Sequence, residues 1–300
     1  MSGTRLLQAL IISVTGVILA LSAVNIVYAS SNAAQPEIIY WNPAGSFTVP
    51  PGTPFCNPFN GVWGNINGWE ALAIYNRATG LYWPILASNW TIFPQNDTII
   101  IHIRKGIYWF NGSAVMPFTA WDVYAEYYIG DKVYGWFEPF VNADTGIKVI
   151  NNYTLSIQLT TWSPLQFMFI LVGNPIVTPW PIWKPIVEAL YHMNDTYASR
   201  VYINNVSAYN PPCWYLSPYY FTQFIPGLGE FVMHLEPEYF NGVPLLAEWQ
   251  QIYPYADWED WSPVFQNINI GSNTQALMAL ISGKATWSSL ALSVQQMALA

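Results

Sequence analysis

Three histidines, two cysteines and one acidic loop carry the residue types that could do chemistry in this chain, and their spacing argues against most of it. His102, His192 and His234 are far apart and lack the i, i+4 interval, or the cysteine neighbours, that would set two ligands on one metal. No metal site and no cofactor is expected. Asp257 and Glu259 lie in the run Asp257-Trp-Glu-Asp260, flanked by Trp258 and Trp261. Carboxylates beside indole rings outline a glycosidase, whose acid and base flank the scissile bond while aromatic platforms hold the sugar. Two carboxylates of a single loop are poorly placed to approach a bond from opposite sides, so a solvated loop is the plainer reading. No Gly-X-Ser-X-Gly elbow or phosphate-cradling glycine loop is present. Cys56 and Cys213 have no neighbouring histidine to activate a thiolate. Two readings stand for them: buried free thiols, or a bridge closing a loop of roughly 160 residues, which the chain-entropy model values at about 5 kcal/mol.

The elements that must position these residues are legible from periodicity. Glu37 to Trp41 reads as an entry strand, and an apolar pattern at Trp69, Leu72, Ala73 and Tyr75 predicts a helix from Gly68 to about Asn76. Thr79-Gly80 turns the chain into Leu81 to Ala87. Thr98 to Arg104 alternates as a strand, and Ile107 to Phe110 is a second, leaving through the tight turn Asn111-Gly112. Thr119-Ala-Trp-Asp122 is a helix start with a hydroxyl cap and an acid at the positive helix end, predicting a helix to about Ile129. Val149 to Leu159 reads as a hairpin tipped by Asn151-Asn152, with Tyr153, Leu155, Ile157 and Leu159 on one face. Short helices follow over 165–172 and 182–191, a strand over 230–236, and an amphipathic helix over 274–282 stopped by Gly283. Strands and helices intermix without an internal repeat, which predicts a mixed α/β (α+β) fold.

Composition bounds the partners. The chain has 300 residues, 53% hydrophobic and 17% aromatic but only 9% charged, with net charge −8. Such a chain buries a large core and is not disordered. Nine Lys and Arg against seventeen Asp and Glu leave no basic footprint, so nucleic acid is not a partner. Arg5 precedes an uncharged stretch from Leu6 to Tyr28, and Val27-Tyr28-Ala29 offers a cleavage site before Ser30. Residues 1–29 are therefore a signal peptide or a retained membrane anchor, since about 20 apolar residues can also span a bilayer. The remainder is expected outside the membrane, extracellular or periplasmic. Six Asn-X-Ser/Thr sequons, at Asn89, Asn96, Asn111, Asn152, Asn194 and Asn205, are candidate glycosylation sites whose glycans would replace charge as the solvating layer.

Several blocks, taken in order, resemble the extracytoplasmic solute-binding proteins that serve oligopeptide and dipeptide ABC transporters, known as family 5. Leu81 to Trp90 resembles the family's "P-x-LA-x-x-W" segment, and Ile101 to Gly112 its "LRKGVKWHDG" hairpin. Phe118 to Val123 matches "(L/F)TAxDV", and Tyr153 to Leu159 resembles "TVTIxL". Ser217-Pro-Tyr219 with the strand Phe231 to Glu236, then Glu238 to Pro244, then Ala279 to Gly283 resemble "GTGPY", "xxYWxGxP" and "ALxSGEID". The likeness runs over about residues 70–290. Tyr215-Leu216 and Lys284-Ala285-Thr286 depart from the family's "GT" and "EID".

The resemblance implies a periplasmic-binding-protein-like two-lobed clamp that captures a solute between its lobes and hands it to an ABC permease, without covalent change and as a monomer. It implies a first lobe over 30–265 with a small insert domain over about 68–160, and the start of a second lobe over 266–300. The family's second lobe extends further, so a truncated chain is expected. Ligand contacts are expected in the loop holding Gly61-Val62-Trp63 and in the insert at Tyr134 and Trp136, with Trp214 and Trp287 as weaker candidates; core or lobe-face packing is the competing reading for each. Oligopeptide and oligosaccharide both stand as ligands, the low charge and many aromatics leaning toward sugar. The readings from other classes are a secreted glycoside hydrolase using Asp257 and Glu259, and a cell-surface structural protein.

Overall fold

The computed structural model describes residues 37–40, 70–76, 79–205, 214–217, 219–225, 230–235, 264–268, 273–284 and 287–288. In chain order the strands and helices are β1 (Glu37–Tyr40), β2 (Ala73–Asn76), β3 (Leu81–Pro84), β4 (Ala87–Phe93), β5 (Thr98–Ile103), β6 (Tyr108–Phe110), β7 (Val115–Pro117), α1 (Ala120–Tyr134), α2 (Ala143–Gly146), β8 (Ile147–Asn151) and β9 (Thr154–Gln158). Then come α3 (Pro164–Val172), α4 (Trp180–Leu190), α5 (Thr196–Asn205), β10 (Tyr219–Ile225), β11 (Glu230–Leu235), β12 (Val264–Ile268), α6 (Asn273–Ile281) and β13 (Trp287–Ser288). The expected mixture of helix and sheet is what the chain forms.

A four-stranded antiparallel sheet in the order β4-β5-β9-β8 sits against α1. Its register follows from alternation. Ile99, Ile101 and Ile103 of β5 point to one face, where Ile99 opposes Ile157 and Ile101 opposes Leu155 across the ladder. A one-residue slip would move all of these isoleucines to the outer face, so burial fixes the pairing. A second sheet, β10-β11-β12-β1-β13, joins an antiparallel part to a parallel part in which β1 lies between β12 and β13.

Helix α1 is buried along most of its length because two cores meet on it. One face carries Ala120, Val123 and Tyr127 into the core beneath the four-stranded sheet. The other sets Ala125, Tyr128, Ile129 and Val133 against Trp183, Ile186, Val187 and Leu190 of α4 and Ile203 of α5. A helix apolar on both sides has to lie inside the protein. Its start is the expected capping box: the Thr119 hydroxyl accepts from the Trp121 amide at 3.3 Å, and the Asp122 carboxylate accepts from the Thr119 amide at 2.6 Å.

Two expectations are corrected. Residues 73–76 form a strand rather than the tail of a helix. They pair with β3, Ala73 opposite Pro84 and Tyr75 opposite Tyr82, through a turn in which Gly80 takes φ +71°. A short apolar run carries both periods, and the hairpin partner decides between them. The helix expected to stop near Ile129 continues to Tyr134 and ends on Gly135 in the left-handed region, φ +66°. Gly130 serves close approach instead of termination, since a Cβ there would fall within the indole of Trp136. The strands β4, β7, β10, β12 and β13 and the helices α2 and α5 were not anticipated by pattern.

The Gly130 contact yields a test. Alanine there should add about 1 kcal/mol of helix propensity yet cost about 1–3 kcal/mol in overpacking, so Gly130→Ala lowers the urea midpoint. In a Trp136→Ala background the same change should raise it.

Candidate functional site

The first candidate group is the acidic face of α1. Asp122 is fully buried and accepts from four donors: Trp109 Nε1 at 3.0 Å, the Trp180 amide at 2.7 Å, and the Thr119 amide and hydroxyl at 2.6 and 2.9 Å. One turn on, Glu126 accepts from the Val177 amide at 3.1 Å, and the Thr178 hydroxyl beside it donates to the Asp122 carbonyl at 3.1 Å. Burial pushes the Asp122 carboxyl up to about 6, its hydrogen bonds pulling partly back. Burial likewise pushes Glu126 up to about 8. Asp131, near the end of the same helix, accepts from the Phe137 amide at 3.0 Å. These carboxyls pin the segment 177–180 and the residues after α1 onto the helix. They are committed to backbone donors and buried from substrate, so their role is structural.

The second group is the set of expected ligand residues. Tyr134 and Trp136 do come together, rings stacked with centroids 6.5 Å apart and planes 29° apart. Trp136 lies over Gly130, and the Arg200 guanidinium sits 5.5 Å from the Tyr134 ring. Trp136 packs against both cores. Trp214 is half-buried and packs against the sheet core, next to Tyr215, which pairs with Phe110 of β6. Trp287 opens β13 opposite Ile39 of β1. Gly61, Val62, Trp63, Cys56 and Cys213 lie outside the described residues, as do Asp257, Glu259 and residues 1–29.

The third observation is topological. β1 runs parallel to both neighbours, so the carboxyl ends of β12, β1 and β13 open on one edge of the sheet. In open sheets with parallel strands, ligands bind outside that edge, in loops leaving the strands. The chain leaves β1 there, and the segment that follows contains Gly61-Val62-Trp63. β12 leaves the same edge and returns through α6 to β13 on the far side of β1. Periodicity could not find this edge, because β12 escaped pattern reading.

His102 is half-buried, its Nδ1 3.4 Å from the Thr154 hydroxyl. Among the described residues there is no His, Cys, Asp and Glu cluster able to hold a metal and no helix long and apolar enough to cross a membrane.

The raised carboxyls set a pH dependence. Asp122 binds its proton more readily folded (about 6) than at its ordinary 3.8, and Glu126 more readily (about 8) than at 4.5. Their contribution to stability is therefore full below about 4 and lost as pH rises, through 6 for Asp122 and through 8 for Glu126, by up to about tenfold in the folding constant per pH unit per group. Melting followed by circular dichroism should show Tm falling from pH 5 to pH 8. Glu126→Gln, neutral at every pH, should flatten that fall and raise Tm at pH 8.

Comparison with known proteins places this geometry. A profile for bacterial extracellular solute-binding proteins, family 5, matches residues 82–297. No curated protein matches the sequence. Among solved structures, the chain is similar to a periplasmic oligopeptide-binding protein of an ABC transporter from Thermotoga maritima, bound to mannohexaose, with TM-score 0.61 and 21% identity over 87% of this chain and 43% of that one. It is also similar to the oligopeptide-binding protein of Bacillus subtilis in complex with a nonapeptide, with TM-score 0.54 and 13% identity over 84% of this chain and 44% of that one. A third is an ABC-transporter-associated periplasmic binding protein from Helicobacter pylori in complex with the peptide STSA, with TM-score 0.51 and 16% identity over 84% and 46%. The chain spans less than half the length of these structures, which fits part of a periplasmic-binding-protein clamp. With a sheet whose parallel strands open on one edge, carboxyls locked into packing and a profile match over most of its length, this chain belongs to family 5 of the bacterial extracellular solute-binding proteins.

Proposed function

We propose that this chain belongs to the substrate-binding component of an ABC importer: a protein exported by residues 1–29, cleaved or retained as an anchor, that captures an oligopeptide or oligosaccharide between two lobes and delivers it to a membrane permease. The observation that carries the reading is the family match over residues 82–297. The lobe boundaries proposed are 30–265, with the insert over about 68–160, and 266–300 as the beginning of the second lobe. Closure of such a clamp is a population shift, driven only by the ligand's greater affinity for the closed form. Binding proteins of this family trap solutes and do not transform them. The hydrolase and structural-protein readings find no support in the comparisons.

In this reading Trp63, with the backbone of Gly61 and Val62, meets the ligand at the carboxyl edge of β1. Tyr134 and Trp136 are the insert's contribution, and Trp214 and Trp287 border the cleft. The neighbour that holds mannohexaose and those that hold peptides keep both ligand classes in view. The aromatic excess and low charge favour an uncharged oligosaccharide, because a free peptide's charged termini call for ionic partners. The protein is proposed to act as a monomer, with Cys56 and Cys213 bridged across its loops.

Calorimetric titration of the protein isolated from its own cells with mannohexaose and with a nonapeptide tests this. The expected result is saturable binding of one of them with the ligand recovered intact by mass spectrometry, and Trp63→Ala weakening it at least about tenfold. Cleaved oligosaccharide would instead identify a hydrolase.

A further inference from the structure

We propose that Asn194 is an N-glycosylated position of the exported protein, and that its glycan covers an aromatic surface between α4 and α5. Six sequons look equivalent in the sequence. The structure separates them by what their side chains and backbone are already doing.

A transferring enzyme must reach both the asparagine amide and the hydroxyl two residues on. At Asn96 that hydroxyl is engaged: Thr98 Oγ1 donates to Gln158 Oε1 at 2.8 Å, while Gln158 Nε2 donates to the Asn96 carbonyl at 2.7 Å. At Asn111 the side-chain oxygen accepts from the Ser113 amide at 3.1 Å and the Ala114 amide at 2.8 Å, folding the sequon into a closed turn. Asn89 and Thr91 lie within the β4–β5 ladder, opposite His102 and Ile100. Asn152 holds the start of α1, its carbonyl accepting from the Ala120 amide at 2.8 Å, and Thr154 is paired within β9. Asn205 Nδ2 donates to the Val201 carbonyl at 2.8 Å.

Asn194 differs from all of these. It stands between the end of α4 at Leu190 and the start of α5 at Thr196, outside any ladder or helix, and both Asn194 and Thr196 are exposed. Neither side chain has a hydrogen-bond partner among the described residues. The neighbouring Asp195 caps α5 through the Ala198 amide at 2.6 Å, and Thr196 is the first residue of that helix.

A second feature points to the same place. Tyr191 and Tyr197, three residues to either side, are 44% and 78% exposed. Tyr191 continues inward as an aromatic cluster, edge-on to Tyr128 with centroids 5.2 Å apart and its hydroxyl 2.9 Å from that of Tyr124. In a chain with 9% charged residues, such a face has few charges around it to keep it in water. A glycan on Asn194 sets the C–H faces of sugars over those rings and its hydroxyls toward solvent.

The modification draws on a lipid-linked oligosaccharide as donor and a membrane transferase as catalyst. Asn194 Nδ2 attacks the anomeric carbon, the C1–N bond forms as the C1–O bond to the lipid phosphate breaks, the phosphate departs with the electron pair, and the amide loses one proton to a base. Nothing is oxidised or reduced. This inference shares with the importer reading only the export of the chain, so a protein that is exported and binds its solute with Asn194 bare fails here and not there.

Glycopeptide mass spectrometry of the protein isolated from its own cells tests it. The expected result is a glycan on the peptide holding Asn194, with occupancy at least tenfold above that of the peptides holding Asn96 and Asn111. Thr196→Ala should abolish it, and light scattering should then show association that Tyr197→Ser suppresses. An unmodified Asn194 in the natural chain, equal occupancy at Asn111, or a glycan that survives Thr196→Ala overturns the assignment.

Discussion

One buried carboxylate organises the described part of this protein. Asp122 sits inside the first turn of α1 and gathers donors from three separate stretches of chain: the cap at Thr119, the β6 indole of Trp109, and the amide that begins α4 at Trp180. A buried carboxyl without such partners would be costly, and a helix entry without them would leave its amides unpaired. Each need is met by the other. The consequence is that the strand pair β6–β7, the central helix and the segment leading into α4 are registered to one another at a single point, and Glu126 repeats the arrangement one turn later with Val177.

That arrangement commits the acidic groups of α1 to the packing of the helix. Their oxygens face fixed amides inside a packed core, and burial, by raising their proton affinity, favours the folded state at the acid end of the scale. Rigidity is also what a hinged trap requires of its lobes, since closure redistributes ligand affinity only if each lobe moves as a body.

Much of this was readable before any coordinates. The capping box at Thr119–Asp122, the β8–β9 hairpin, whose turn falls on Asn152-Tyr153 one residue later than expected, the alternation of β5 and the glycine stop after α6 are local devices, and local sequence specifies them. The ordered blocks from Leu81 to Gly283 likewise led to the family, because they record packing rules shared by its members. Expectation failed where a neighbour had the deciding vote. Ala73 to Asn76 became a strand because β3 was there to pair with it, and Gly130 stayed within a helix because Trp136 needed the space above it.

By itself, the sequence determined an exported, weakly charged, aromatic-rich chain of mixed helix and strand, along with the positions of its caps and turns, since these depend on side chains within a few residues of each other. Tertiary structure alone decided that β1 lies between β12 and β13, that Tyr134 and Trp136 stack over a glycine, and that Asp122 and Glu126 are structural. It also distinguished Asn194 from five identical-looking sequons. The physical reason is common to all of these: burial, pairing and accessibility are properties of what surrounds a residue, and those surroundings are assembled from segments distant in the chain.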